Sequence, residues 1–147
     1  MRVYLDICCY NRPYDDQTQL RVAMEAQSKI HIQNLIKRGK LDLIGSYTLD
    51  YELSRNPYEM RKLSILQFLR ENLKGYVGVE RSGIIRPIAE EIMQTGVKEK
   101  DAYHLASAIY ADCDYFISTD RRLLKYRSGR IKLVTPIEFV TETEGEE

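Results

Sequence analysis

Short apolar runs alternate with longer stretches of helical period along most of this chain. Residues 1–5, Met1-Arg2-Val3-Tyr4-Leu5, form a run that stops at Asp6, and the stretch behind it closes on Asn11-Arg12-Pro13, which reads as a turn at the end of a loop. From residue 17 to 38, Leu20, Ala23, Ala26 and Ile30 recur at spacings of three and four. Ile32, Leu35 and Ile36 follow out of phase, and Gly39 stands as a C-cap, so the pattern predicts a long amphipathic helix, either continuous or broken once. Leu41 to Gly45 predicts a second strand, after which Ser46 to Thr48 offers a helix start for the segment carrying Glu52. Asn56-Pro57-Tyr58-Glu59 predicts another helix opening, with Met60, Leu63, Leu66, Leu69 and Leu73 as its buried stripe. A weak strand at 76–79 leads through Ser82-Gly83 into a helix ending at Gly96, whose start Pro87 obscures. Residues 101–111 then read as helix, 115–119 as an apolar strand between Asp114 and Asp120, and 131–135 as the last strand before Pro136.

Strand and helix in alternation predict an α/β protein, three layers deep (α/β/α), around a central and mostly parallel sheet of four to five strands. One domain is expected over residues 1–140, with 141–147 as a frayed acidic tail. In open sheets of this kind ligands bind outside the carboxyl ends of the strands, which directs attention to the residues just after each one. Those positions hold Asp6, Glu52 and Asp120, while Asp101 opens a helix whose Ala102, Ala106, Ser107 and Ala108 allow close packing on the sheet. Taken singly, an Asp at a helix start is as readily a cap as a ligand. Four carboxylates at one edge are tolerable only with a cation among them, and an all-oxygen set suits Mg²⁺ or Mn²⁺.

Composition narrows the partners. With 22 basic and 22 acidic side chains in 147 residues the formal charge is zero, so nucleic acid or anionic lipid must be held by a local patch. Arg121, Arg122 and Lys125 begin such a patch, six basic residues and no acid over residues 121–132; the competing reading is a solvated face with a basic last turn. Arg12, Tyr10 and Tyr14 near Asp6 offer a splayed base a stacking surface, against the alternative that they are packing residues. Three cysteines, Cys8 and Cys9 adjacent, favour a reducing cytoplasm over a secreted disulfide framework. No run approaches the roughly 18 apolar residues that span a bilayer, and the N-terminus lacks a signal-peptide apolar region, so a soluble, unexported protein without a membrane partner is expected. His31 and His104 read as core residues or as neighbours of ligands, and no zinc spacing, phosphate-cradling glycine loop or nucleophile elbow is present.

Leu5-Asp6 after an opening strand, Glu52 within Leu49-Asp50-Tyr51-Glu52-Leu53, and Asp101-Ala102-Tyr103-His104-Leu105-Ala106-Ser107-Ala108 followed by Asp114-Tyr115-Phe116-Ile117-Ser118-Thr119-Asp120 resemble a PIN domain over nearly the whole chain. The C-terminal half carries the most specific part of that pattern. The resemblance implies a PIN-like fold and a metal-dependent endoribonuclease acting on single-stranded RNA, in a family that includes the toxins of toxin-antitoxin pairs. It implies Asp6, Glu52, Asp101 and Asp120 as the acids that hold Mg²⁺ or Mn²⁺, Ser118 as a supporting hydroxyl, and an antitoxin protein as a partner. Glu52 would ligate directly, ligate through water, or take a proton from the attacking water. Two departures stand out: Ile7 where many members carry Thr or Ser, and an insertion at residues 10–16. A catalytically silent PIN-like module binding nucleic acid or protein is the alternative, and a homodimer stays open. An aspartyl-phosphate phosphatase ranks low because Cys8 stands where a second Asp belongs.

Overall fold

β1 (Arg2–Leu5), the run expected at the N-terminus, forms the middle of a five-stranded sheet in a computed structural model that describes residues 1–11 and 18–144. β2 (Asp42–Ser46), β3 (Leu73–Val77), β4 (Tyr115–Ile117) and β5 (Lys132–Val134) complete it in the order β3-β2-β1-β4-β5, and every pairing is parallel. The pleat sends alternate side chains to opposite faces. Val3, Leu5, Leu43 and Ile117 therefore enter one buried cluster, and Tyr4, Ile44 and Phe116 the other. Strands buried on both faces are the reason a parallel sheet reads as continuous apolar runs in sequence.

On the first face the sheet is covered by α2 (Leu20–Lys37), α4 (Glu59–Asn72) and α7 (Pro136–Glu144), which contribute Ile32, Ile36, Leu69 and Phe139. On the second lie α5 (Ser82–Met93) and α6 (Glu99–Tyr110), contributing Ile85, Ala89, Ala102 and Leu105. Two short helices, α1 (Ile7–Asn11) and α3 (Tyr47–Ser54), start directly at the carboxyl ends of β1 and β2. The architecture is thus the three-layer, PIN-like α/β/α arrangement expected. Among the described residues no helix is long and apolar enough to cross a membrane. Phe116 is fully buried and stacks on Tyr4 with ring centroids 5.3 Å apart. Its replacement by Ala should cost about 3–5 kcal/mol, read by denaturant unfolding; a loss below about 1 kcal/mol would mean that this layer repacks freely.

Several expected elements differ in the structure. The stretch after Asp6 is α1 rather than a loop, because Asp6 Oδ1 accepts the Ile7 N–H at 2.8 Å and its carbonyl accepts the Cys9 N–H. In α2 the buried stripe is Val22, Glu25, Ala26, Lys29, Ile32 and Ile36, and Leu20 is 77% exposed. Two charged residues inside that stripe shifted its apparent phase. Helix α4 starts at Glu59, not at Pro57, since Asn56 Oδ1 accepts the Tyr58 N–H in a local turn. Met60 and Leu63 consequently face solvent, and Ile65 and Leu69 are buried. α7 continues to Glu144, three residues past Thr141 and into the stretch expected as a frayed tail. Glu142 pairs there with Lys132 at 2.8 Å, and Glu144 with His31 of α2.

Candidate metal centre

The chain leaves β1 for β2 and β3 on one side and returns to β4 and β5 on the other, so the sheet order switches direction between β1 and β4. Such a switch opens a crevice at the carboxyl ends of the two strands. Asp6 follows β1 there, and Ser118 follows β4. The Ser118 hydroxyl donates to Asp6 Oδ2 at 2.8 Å and accepts the Asp120 N–H at 3.0 Å, tying the first acid to the last through one side chain. Asp6 is 6% exposed. Burial first, then the charges of Cys8 and Glu52, push its pKa up to about 7 against the pull of His104 and the Ser118 hydrogen bond. Cys8 lies beside it, its sulfur 3.5 Å from Asp6 Oδ2 and accepting the Thr119 N–H at 3.4 Å.

Glu52 comes from α3, which begins where Ser46 at the end of β2 caps it by accepting the Leu49 N–H. Its Oε1 meets His104 Nε2 at 2.9 Å and its Oε2 meets Lys100 Nζ at 2.6 Å. Burial opposes ionisation of Glu52, but the hydrogen bonds from His104 and Lys100 outweigh it and hold the pKa below the ordinary value. His104 is fully buried, and its Nδ1 lies 2.6 Å from the Tyr4 hydroxyl, itself 2.6 Å from Ser46 Oγ. Every donor in this row finds an acceptor when His104 carries its proton on Nε2: Leu49 N–H to Ser46, Ser46 to Tyr4, Tyr4 to Nδ1, and Nε2–H to Glu52.

Asp101 sits in the first turn of α6, three residues past the N-cap Lys98, so it is not the cap that its position suggested. Its pKa is raised by burial first and then by the charge of Asp120, with a smaller contribution from Glu52. Asp101 and Asp120 line one groove of about 460 Å³ together with Arg122 and Lys125. Asp120 is exposed, and its Oδ1 also accepts the N–H of Arg122 at 3.0 Å, closing a turn. The four acids therefore interact in sequence along one edge, Asp6 with Glu52, Glu52 with Asp101, and Asp101 with Asp120. Single ligand atoms of Asp6, Glu52 and His104 all lie within 4.8 Å of one another.

Asp6 and Asp101, driven toward protonation by burial and by neighbouring negative charge, are carboxylates whose ionisation a hard divalent cation would restore, and with Glu52 held ionised beside them the donor set fits such an ion. His104 stands beside a candidate ligand, one of the two readings its sequence offers, whereas Lys100 is an unforeseen member of the site; their four-residue spacing puts both on one face of α6, directed at the same carboxylate. Arg121, Arg122 and Lys125 are all exposed, and the latter two line the Asp101 groove. Tyr10 is buried in the core with its ring 6.2 Å from Phe68, so it is a packing residue and not a stacking surface. Arg12, Tyr14 and most of the 10–16 insertion lie outside the described residues.

No protein-family model matches the chain, and no curated protein matches it in sequence. Solved structures do match in fold. A chain in the crystal structure of VapBC2 from Rickettsia felis bound to a promoter DNA fragment aligns over 92% of this chain and 98% of its own, with a TM-score of 0.59 and 14% identity. A chain in FitAB bound to the IR36 DNA fragment aligns over 92% and 95%, with a TM-score of 0.58 and 16% identity. One in FitAcB from Neisseria gonorrhoeae gives 91% and 97%, 0.55 and 15%. At such identities the likeness is one of fold, and it spans nearly all of both partners.

Proposed function

We propose that this protein is a divalent-metal-dependent endoribonuclease that hydrolyses single-stranded RNA, acting in the cytoplasm as the toxin of a toxin-antitoxin pair. The observation that carries this reading is the row of acids at the sheet's switch point, with Ser118 bonded to both Asp6 and Asp120 and with His104 and Lys100 bonded to Glu52. Asp6, Asp101 and Asp120 are the residues to hold Mg²⁺ or Mn²⁺, with Glu52 as a direct or water-mediated ligand. When bound, such an ion supplies a water activated for in-line attack and offsets charge on the scissile phosphate. The chain's own part is to fix donors in place: Ser118 orients the Asp6 carboxylate, and His104 holds Glu52 in the ionised, ligand-ready form. Residues 1–140 serve as one catalytic domain, and likeness to chains of the VapBC2 and FitAB structures supports a protein partner of the antitoxin kind.

Arg122 and Lys125 beside the acids supply a sequence-independent hold on the phosphate backbone. The test is cleavage of labelled single-stranded RNA in Mn²⁺ and in EDTA, alongside RNA binding by the Arg121→Ala, Arg122→Ala, Lys125→Ala triple variant over a salt series. Cleavage in Mn²⁺ alone is expected, with binding weakened and a shallower salt slope in the triple variant. Cleavage surviving in EDTA overturns the metal mechanism; a wild type inert on every RNA tried favours the silent binding module.

A further inference from the structure

Beside Glu52, and lined by neither Arg122 nor Lys125, a groove of about 450 Å³ runs between the end of α3 and the start of α4. Tyr51 and Tyr58 line it and are 61% and 58% exposed, a large amount of ring surface in one groove. A guanidinium lies over one face of each ring, Arg55 Cζ 5.7 Å from the Tyr51 centroid and Arg61 Cζ 4.4 Å from that of Tyr58, so a base would stack on the opposite face. Lys100 and Glu52 close the groove at the acidic edge and pair with each other, and Arg55 adds a positive charge to its lining. A cleft with aromatic faces, cations beside them and a phosphodiester-cutting edge at its end matches an unstacked polynucleotide in both shape and charge.

We infer that this groove is a base-stacking site for single-stranded RNA, in which Tyr51 and Tyr58 receive bases on one side of the scissile phosphate. The inference rests on the ribonuclease reading for its direction into the acidic edge, but binding tests it separately from cleavage. Duplex RNA keeps its bases stacked inside the helix and cannot offer them to the rings, so the site also selects for single strands. Arg55 grips a flanking phosphate while the rings take the bases, a division of labour that fixes register without reading sequence.

The experiment measures anisotropy of a fluorescein-labelled single-stranded RNA, and quenching of a 2-aminopurine placed in it, with the full chain in an Asp101→Asn background that leaves the RNA uncut. Loss of one stacking ring weakens binding roughly five- to a hundredfold in proteins of this kind. The Tyr51→Ala, Tyr58→Ala pair is therefore expected to lose at least about tenfold in affinity, together with the 2-aminopurine signal. The Tyr51→Phe, Tyr58→Phe pair should stay within about twofold, because the ring and not the hydroxyl is the surface. Both tyrosines are exposed, so thermal melts should not move. Equal affinity in the Ala pair overturns the stacking site and leaves the nuclease reading untouched. Ring-dependent binding by a protein that never cleaves upholds the site and removes the nuclease. Unchanged RNA affinity with a shift from dimer to monomer in sedimentation gives the face to a second copy of the chain, and absence of any single-strand binding overturns the inference outright.

Discussion

Asp6→Asn and Asp101→Asn should each lower RNA cleavage at least about a hundredfold while the protein stays folded. Loss of a residue that merely supports a ligand costs about 10- to 100-fold in metal affinity or activity, and loss of a ligand itself should exceed that. The variants keep side-chain size and remove charge. At Asp6, an Asn can still accept the Ile7 N–H through its oxygen and turn its amide toward Ser118 Oγ, so the local bonds survive. At Asp101 no capping bond is lost, because the residue stands inside the first turn of α6. Initial rates across a Mn²⁺ titration, paired with thermal melts, decide the matter. A variant that cuts RNA at near wild-type rate at low Mn²⁺ would remove that residue from the metal centre.

Stability of the metal-free protein should fall as pH rises, and Asp6 should account for much of the fall. Its pKa near 7 in the folded chain stands above the ordinary value of about 3.9 for an unfolded Asp. A carboxyl raised in this way contributes stability that is complete below about pH 4 and is lost as pH climbs through about 7. In EDTA at pH 8, Asp6→Asn should therefore melt above wild type by about 8–16 °C, the equivalent of about 4 kcal/mol for a chain of this size. At pH 4 the two should coincide. Added Mn²⁺ at pH 8 should raise the wild-type melting temperature and leave the variant nearly unmoved, since only a state that binds gains from mass action. Parallel melting curves for the two proteins from pH 4 to 8 would contradict a buried, uncompensated Asp6.

The strands and the acids were legible because a buried parallel strand writes an uninterrupted apolar run, and the residue that ends the run is the one at the crevice. Asp6, Ser118 and Asp120 follow β1 and β4 in that way, and Glu52 follows the Ser46 cap. What sequence pattern misplaced has specific causes. The inner stripe of α2 was hidden by Glu25 and Lys29, charged residues that periodicity counts as solvent-facing. Helix α7 has no counterpart in the sequence pattern, which assigns no element between the strand ending at Thr135 and the acidic tail from residue 141. Thr135 and Glu138 in fact form a reciprocal capping pair, with each side chain accepting the other's N–H at 3.0 and 3.1 Å, and Pro136 fills the first helical position. The row from Ser46 through Tyr4 and His104 to Glu52 joins residues far apart in the chain, and no local spacing announces it.

That row also closes on itself. Ser46 starts the helix that carries Glu52, and the same hydroxyl stands at the far end of the hydrogen bonds that fix Glu52 through the imidazole. The glutamate is thus located twice, once by its own backbone and once from the opposite layer across the sheet. A transplant of this centre onto another scaffold that copied only the four carboxylates would leave Glu52 without the imidazole that fixes its Oε1. Tyr4 and Ser46, which touch neither the acids' open side nor the groove, would have to travel with it.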